Sequence, residues 1–346
     1  MARHKELARS GVNGLRDLIA ALHWVRKNIA AVGGDPGSVT LMGESAGGKN
    51  ICALATSPAA RGLFKRIAVH SGGGQTVFAS PDDAAQVTRA FVSAAGLEMN
   101  EASRLASMPA MGLIAAQTEL IKTWRSGFAF RPTLDQEVLP SRPVDAAAAG
   151  AMANVHMIIG TCRDEAALFI HGAQAEQPFQ SRQLAHVGLD VMQGLEQRYA
   201  ESFPTMPLAE RRIRQLTAEE YWMPSIRFAE AAHVKSGGKG WMYRFDHGTP
   251  SGPASGFAFH GADVPFIFNA VSPSANGLAA SVDQLLAQQS HELWGTWASQ
   301  GVAAIQGVQC WPEYELQRRS VLKIDRECAI EDDPRGDERC IWQDIL

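Results

Sequence analysis

Between positions 43 and 47 the chain reads Gly43-Glu-Ser-Ala-Gly47, a serine set between two glycines. A serine hydroxyl is a weak nucleophile until a base takes its proton. Chemistry at Ser45 therefore needs a histidine within hydrogen-bond reach and a carboxylate to orient that histidine. The short apolar run Val39 to Met42 precedes the motif, and a helical stretch from about Gly48 to Ala55 follows it. Strand, sharp turn and helix are the setting of a nucleophile elbow. In such a turn the flanking Gly43 and Gly47 leave room for the backbone, and Ser45 is lifted above the carboxyl end of a sheet. The N–H of Ala46, at the positive end of the helix, then points toward an oxyanion forming on an attacked carbonyl.

In this kind of fold the acid and then the histidine follow the serine in chain order. Of ten histidines, His171, His186, His233, His247, His260 and His291 lie downstream of a plausible acid. His260 sits in Phe257-Ala-Phe-His-Gly-Ala-Asp263, a loop after a predicted strand, where an imidazole can be held over a sheet end. His247, after Asp246 at a strand end, competes with it. His291 falls on an amphipathic helix with Leu285, Leu286, Leu293 and Trp297 and reads better as a packing residue. For the acid, Glu165 and its neighbour Asp164 follow the strand ending at Gly160, and periodicity does not separate them.

The elements that must position these groups are legible as alternating helices and strands. Leu15, Leu18, Ile19, Leu22, Val25 and Ile29 recur at three and four, predicting a helix over Gly14 to Ala31 that Asn13 can cap. Val39 to Met42, Arg66 to His70, Val155 to Gly160, Gly240 to Phe245 and Ser320 to Ile324 read as short buried strands. Strand, helix and strand around Ser45 make a βαβ unit. Helical insertions of about 81–150 and 166–235 are too long for simple crossovers and are suited to walling a pocket above the sheet. The expected fold class is α/β, a mostly parallel sheet with helical insertions.

Composition bounds the partners. The 346 residues are 46% hydrophobic and 20% charged with a net charge of -4, enough apolar material for a sizeable core and no basic stripe for nucleic acid or an anionic membrane. No run is long enough to span a bilayer. The start, Met1 to Ser10, has neither an apolar segment nor a small-residue cleavage site, so the chain as written reads as cytoplasmic and its compartment stays open. Cys52, Cys162, Cys310, Cys328 and Cys340 show no metal-ligand spacing and read as free thiols, so no metal or cofactor is expected. Trp124, Phe128, Phe130, Phe169, Trp222, Phe257 and Phe259 are candidates to line an apolar pocket, although core packing explains such residues as well.

Asn13-Gly-Leu-Arg-Asp17, Ala21-Leu-His-Trp-Val25, Gly33-Gly-Asp-Pro36 and Gly43-Glu-Ser-Ala-Gly-Gly48, followed by Arg61-Gly-Leu-Phe64, Ser71-Gly72, Asp164-Glu165, His260-Gly261 and Trp311-Pro312, resemble the type-B carboxylesterases. That family includes cholinesterases and para-nitrobenzyl esterases, and the resemblance covers nearly the whole chain. It implies an α/β-hydrolase fold, hydrolysis of small carboxylic esters through an acyl-enzyme, and a triad of Ser45, Glu165 and His260. It also implies supporting positions for Ser71, behind the acid–histidine pair, and for Glu44. Cys162 and Ala166 depart from asparagine and glycine, and His70 from glutamine.

The resemblance further implies one domain over 1–346, matching the carboxy-terminal portion of the family fold without its earlier strands and the Gly-Gly loop that donates two N–H groups to the oxyanion. His70-Ser-Gly-Gly-Gly74 reads as a turn, not as that loop. A sheet lacking those strands would leave Val39 to Met42 at an edge open to self-association. With Ala46 as its remaining donor, the site would turn over slowly. The alternative to an esterase is accordingly a catalytically impaired remnant or a non-catalytic, cholinesterase-like interaction module.

Overall fold

A computed structural model describes residues 10–73, 78–124, 128–170, 189–235, 238–249, 254–271 and 277–345. Among these, six strands form one sheet in the order β1-β2-β3-β4-β5-β6: β1 Thr40–Glu44, β2 Arg66–His70, β3 His156–Cys162, β4 Gly240–Phe245, β5 Ser320–Ile324 and β6 Ala329–Asp332. The first five are parallel, and β6 runs antiparallel to β5.

The central strands are apolar at nearly every position because both faces of the sheet are covered. Ile67, Val69, Met157, Ile159 and Met242 point into a core with Trp222, Phe228 and Trp342. The alternate residues Ala68, Ile158, Tyr243, Phe245 and Leu322 point into the opposite core with Trp294, Trp297 and Trp311.

The helices are α1 Asn13–Asn28, α2 Ala46–Thr56, α3 Pro81–Ala94, α4 Ala110–Thr123, α5 Pro143–Ala148, α6 Leu189–Ser202, α7 Leu208–Thr217, α8 Met223–Lys235, α9 Val264–Ile267, α10 Gly277–Gln300 and α11 Gly336–Ile341. A π-helical turn, Ala218–Trp222, joins α7 to α8. Helices α3 to α5 lie between β2 and β3, and α6 to α8 between β3 and β4, in the segments expected to be helical insertions.

Strands β2, β4 and β5 have the expected bounds, whereas β1 and β3 extend further toward their carboxyl ends, to Glu44 and Cys162. Helix α2 starts at Ala46, directly after the serine, and not near Gly48. Asn13 is not the cap of α1. It is the first helical residue, Val12 occupies the cap position without a side-chain bond, and Asn13 Oδ1 accepts from Arg16 Nη1 at 3.5 Å. The α-helix ends at Asn28 and continues as a 3-10 turn, Ile29–Val32, to Gly33 in the left-handed region at φ 87°. Strand β6 was not expected, since Ala-Ile-Glu-Asp is short and half-exposed and carries little apolar alternation.

Register places the chemistry. Glu44 aligns with His70, and His70 with Gly160, so the carboxyl ends of β1, β2 and β3 deliver Ser45, Ser71 and the Glu165 turn to one rim. Strand β1 ends the sheet and pairs, among the described residues, with β2 alone, leaving Met42 37% exposed.

Candidate active site

Ser45 joins β1 to α2 with φ 53° and ψ −117°, a conformation that costs a non-glycine residue about 1–3 kcal/mol and that a sharp strand-to-helix turn imposes. Its N–H donates to the His70 carbonyl at 2.9 Å, tying the turn to the end of β2. Its Oγ has no hydrogen-bond partner among the described residues. The crowding that requires glycine is placed differently from the expectation. A Cβ on Gly43 would lie 2.7 Å from the Gly47 carbonyl carbon, and one on Gly48 2.8 Å from Gly72 Cα, whereas one on Gly47 would meet nothing within 4 Å. Gly43 and Gly48, not Gly47, are therefore the positions closed to side chains. Ala46 is exposed in the first turn of α2, where helix N–H groups lack intrahelical acceptors.

Glu165 is fully buried in the turn after β3. Its Oε1 accepts from the Ser71 hydroxyl at 2.5 Å and from the Cys162 N–H at 2.8 Å. Its Oε2 lies 2.6 Å from Nδ1 of His260, and the His260 N–H donates back to the Glu165 carbonyl at 3.2 Å. With Nδ1–H as the donor to Oε2, Nε2 is left free to take a proton. Nε2 lies 3.1 Å from Glu44 Oε1. Burial pulls the His260 pKa down, but the hydrogen bond to Glu165 and the charges of Glu165 and Glu44 prevail and hold it above the ordinary value. Glu44 in turn is raised, chiefly by burial, against the pull of His260.

The competing residues are engaged elsewhere. Asp164 Oδ2 accepts from Arg163 Nε at 2.8 Å and from the Ala258 N–H at 3.2 Å, so Glu165 and not Asp164 meets the imidazole. His247 lies between Asp283, 2.8 Å from Nε2, and Asp325, 3.4 Å from Nδ1. His291 Nδ1 lies 3.0 Å from the Ile267 carbonyl, and His233 is exposed on α8. His171, His186 and Gly74 lie outside the described residues.

Of the candidate pocket aromatics, Phe169 lies 5.4 Å from the His260 ring, and Phe128 is half-exposed beside Lys49. Trp222 is core, Phe130 meets Phe91 edge to face, Trp124 packs with Val87 and Leu120, and Phe257 and Phe259 pack against Ala166, Ala167 and Ile213.

Three features were not anticipated. Tyr221, presented by the π-helical turn, lies 4.7 Å from the His260 ring. Lys49, one turn into α2, sits over the rings of Phe128 and Tyr221. Beneath the rim, His70 Nδ1 lies 2.7 Å from the Tyr243 hydroxyl and 3.3 Å from Asp263 Oδ2, and Tyr243 donates to that same oxygen at 2.9 Å. Burial would raise the Asp263 pKa, yet His70 and Tyr243 hold it below the ordinary value. A lysine four residues after Ser45 was readable as a neighbour on the helix; the π turn and the buried network, built from distant segments, carried no local signal.

The carboxylesterase family model matches residues 5–342. The chain is 34% identical to the para-nitrobenzyl esterase of Bacillus subtilis over 94% of its own length and 66% of that protein's. It is 30% identical to the fumonisin B1 esterase of Sphingopyxis macrogoltabida over 88% and 57%, respectively. It thus spans less than two thirds of these curated relatives. Among solved structures, a PNB esterase superposes with a TM-score of 0.80 at 33% identity, covering 95% of this chain and 68% of that one. A Geobacillus stearothermophilus carboxylesterase superposes at 0.82 and 30% identity, covering 98% and 71%. The mostly parallel sheet with its helical layers is thus an α/β-hydrolase fold, and the chain belongs to the carboxylesterase family.

Proposed function

We propose that this chain hydrolyses carboxylic esters through an acyl-enzyme, with Ser45 as nucleophile, His260 as general base and acid, and Glu165 as the group that orients His260. The observation that carries the reading is the 2.6 Å contact between the buried Glu165 carboxylate and His260 Nδ1, beside a serine on a strained elbow. In this mechanism Ser45 Oγ attacks the ester carbonyl and its proton passes to Nε2. The Ala46 N–H, at the start of α2, faces the charge that builds on the carbonyl oxygen. The tetrahedral adduct expels the alcohol, which leaves with the proton from Nε2. Water, deprotonated by the same nitrogen, then attacks the acyl-serine and releases the acid. Ser71 supports the pair by donating to the Glu165 oxygen that does not face the imidazole.

A second, impaired-enzyme reading is favoured by one specific contact: Nε2 faces Glu44 Oε1 at 3.1 Å, and Ser45 Oγ has no hydrogen bond to it. Catalytic hydrogen bonds are often long before substrate binds, so this contact alone does not decide against turnover. Hydrolysis of 4-nitrophenyl acetate separates the two. The esterase reading expects measurable turnover that Ser45→Ala abolishes; turnover unchanged in that variant would remove it.

A further inference from the structure

Lys49 is 8% exposed, yet its ammonium makes no ion pair or hydrogen bond among the described residues. Instead Nζ lies 5.2 Å from the Phe128 ring centroid and 5.4 Å from that of Tyr221. Two aromatic faces attract a cation but satisfy none of its three N–H donors, so among the described residues this mostly buried side chain has no acceptor for its charge. Its place is set by the nucleophile. The Lys49 N–H donates to the Ser45 carbonyl at 2.9 Å, one helical turn from the elbow. The Tyr221 ring that touches Lys49 also touches the His260 ring, at 4.7 Å, so ammonium and imidazole flank one side chain.

Burial lowers the pKa of Lys49, while the charges of Glu220, Glu165 and Glu44 oppose this. None of these carboxylates lies within ion-pair distance of Nζ among the described residues, and Glu165 is already occupied by Ser71, Cys162 and His260. They oppose that lowering without filling the donors of the ammonium.

We infer that Lys49 binds an ionised carboxylate carried by the ester, so that half-esters of short dicarboxylic acids are preferred substrates. This rests on the esterase reading above and adds to it the chemical class of the substrate. The carboxylate takes the open donors of Nζ, and the carbonyl at the other end of a short spacer reaches Ser45. Charge-assisted hydrogen bonds of this kind gain strength from the low polarity of the aromatic surround.

The test compares kcat/KM for 4-nitrophenyl hydrogen glutarate with that for 4-nitrophenyl valerate, its uncharged counterpart. The protein should prefer the glutarate, Lys49→Met should lower the glutarate-to-valerate ratio about tenfold or more, and Lys49→Arg should largely retain it. A ratio unchanged in Lys49→Met, in a protein that hydrolyses valerate, overturns the Lys49 assignment and leaves the esterase reading intact. If neither ester is hydrolysed, the esterase reading fails, and Lys49 is judged by calorimetric binding of methyl hydrogen glutarate to Ser45→Ala. Adding Lys49→Met should weaken that binding about tenfold or more; equal binding, or none before the second substitution, overturns the assignment. Methionine replaces a buried charge with an apolar chain of similar length, so the fold should tolerate it.

Discussion

Nε2 of His260 lies 3.1 Å from Oε1 of Glu44, the residue that directly precedes Ser45. With Glu165 on Nδ1, the imidazole is flanked by two carboxylates, and both raise its pKa. Only the neutral ring can accept the serine proton, so the acid limb of kcat/KM should lie above the ordinary histidine value, activity rising as pH rises through it. Glu44→Gln removes one of the raising charges, and the limb should move to lower pH. A profile that stays in place would show that Glu44 does not face the working imidazole.

The same shift bears on stability, with its sign fixed by linkage. A group whose pKa is raised by folding stabilises the fold fully below its ordinary value of 6.5 and loses that contribution as pH rises through the folded value. Urea unfolding from pH 6 upward should show this loss in the parent protein and not in His260→Gln.

Glu165→Gln keeps the shape of the acid but offers the imidazole an amide that does not select the Nδ1–H tautomer. Turnover should fall by about 10²–10⁴-fold with little change in KM. Ser71→Ala removes a buried hydrogen bond to a charged group and should cost about 1.5–3 kcal/mol in urea unfolding, with a smaller loss of turnover.

The two glycines after the elbow should respond oppositely. Alanine at Gly48 meets the backbone of Gly72 and His70 at 2.8 and 2.9 Å, and should destabilise the protein by about 1–3 kcal/mol. Alanine at Gly47 enters open space within a helix, and should leave stability unchanged or raise it by up to about 1 kcal/mol. Thermal unfolding of the two variants side by side distinguishes them.

Asp263 holds the loop of His260 to the end of β2 through His70 and to β4 through Tyr243. Its lowered pKa contributes stability above the ordinary value of 3.8, and this is lost as pH falls through the folded value. Asp263→Asn removes the charge that His70 and Tyr243 hydrogen-bond and should cost about 1.5–3 kcal/mol at neutral pH. The penalty should shrink in strong acid, where the parent aspartate is itself protonated.

Sequence alone sufficed where the signal was local. The apolar runs at β2, β4 and β5 were readable because a parallel strand buried on both faces has no polar alternation to confuse it. The serine motif and the chain order of acid and histidine narrowed the site to a few residues. Choosing Glu165 over Asp164 required family resemblance, since the difference lies in where two adjacent side chains point: one to His260, the other to Arg163 and Ala258. The pairing of Lys49 with Tyr221 has no local signal for a related reason. Their significance comes from a shared ring contact across α2 and a π turn some 170 residues apart in sequence, and no periodicity encodes that. Gly47 was misjudged because the motif implies crowding on both sides of Ser45, whereas the backbones that crowd α2 belong to Gly43 on one side and to Gly72 and His70 on the other.

The most direct measurement of whether Ser45 is an activated nucleophile is the intact mass of the protein and of its Ser45→Ala variant after treatment with a fluorophosphonate. One covalent adduct is expected on the parent and none on the variant, since in the proposed mechanism the serine that displaces fluoride is the one His260 deprotonates. No adduct on the parent, or an equal adduct on both, would contradict the assignment of Ser45 as an activated nucleophile.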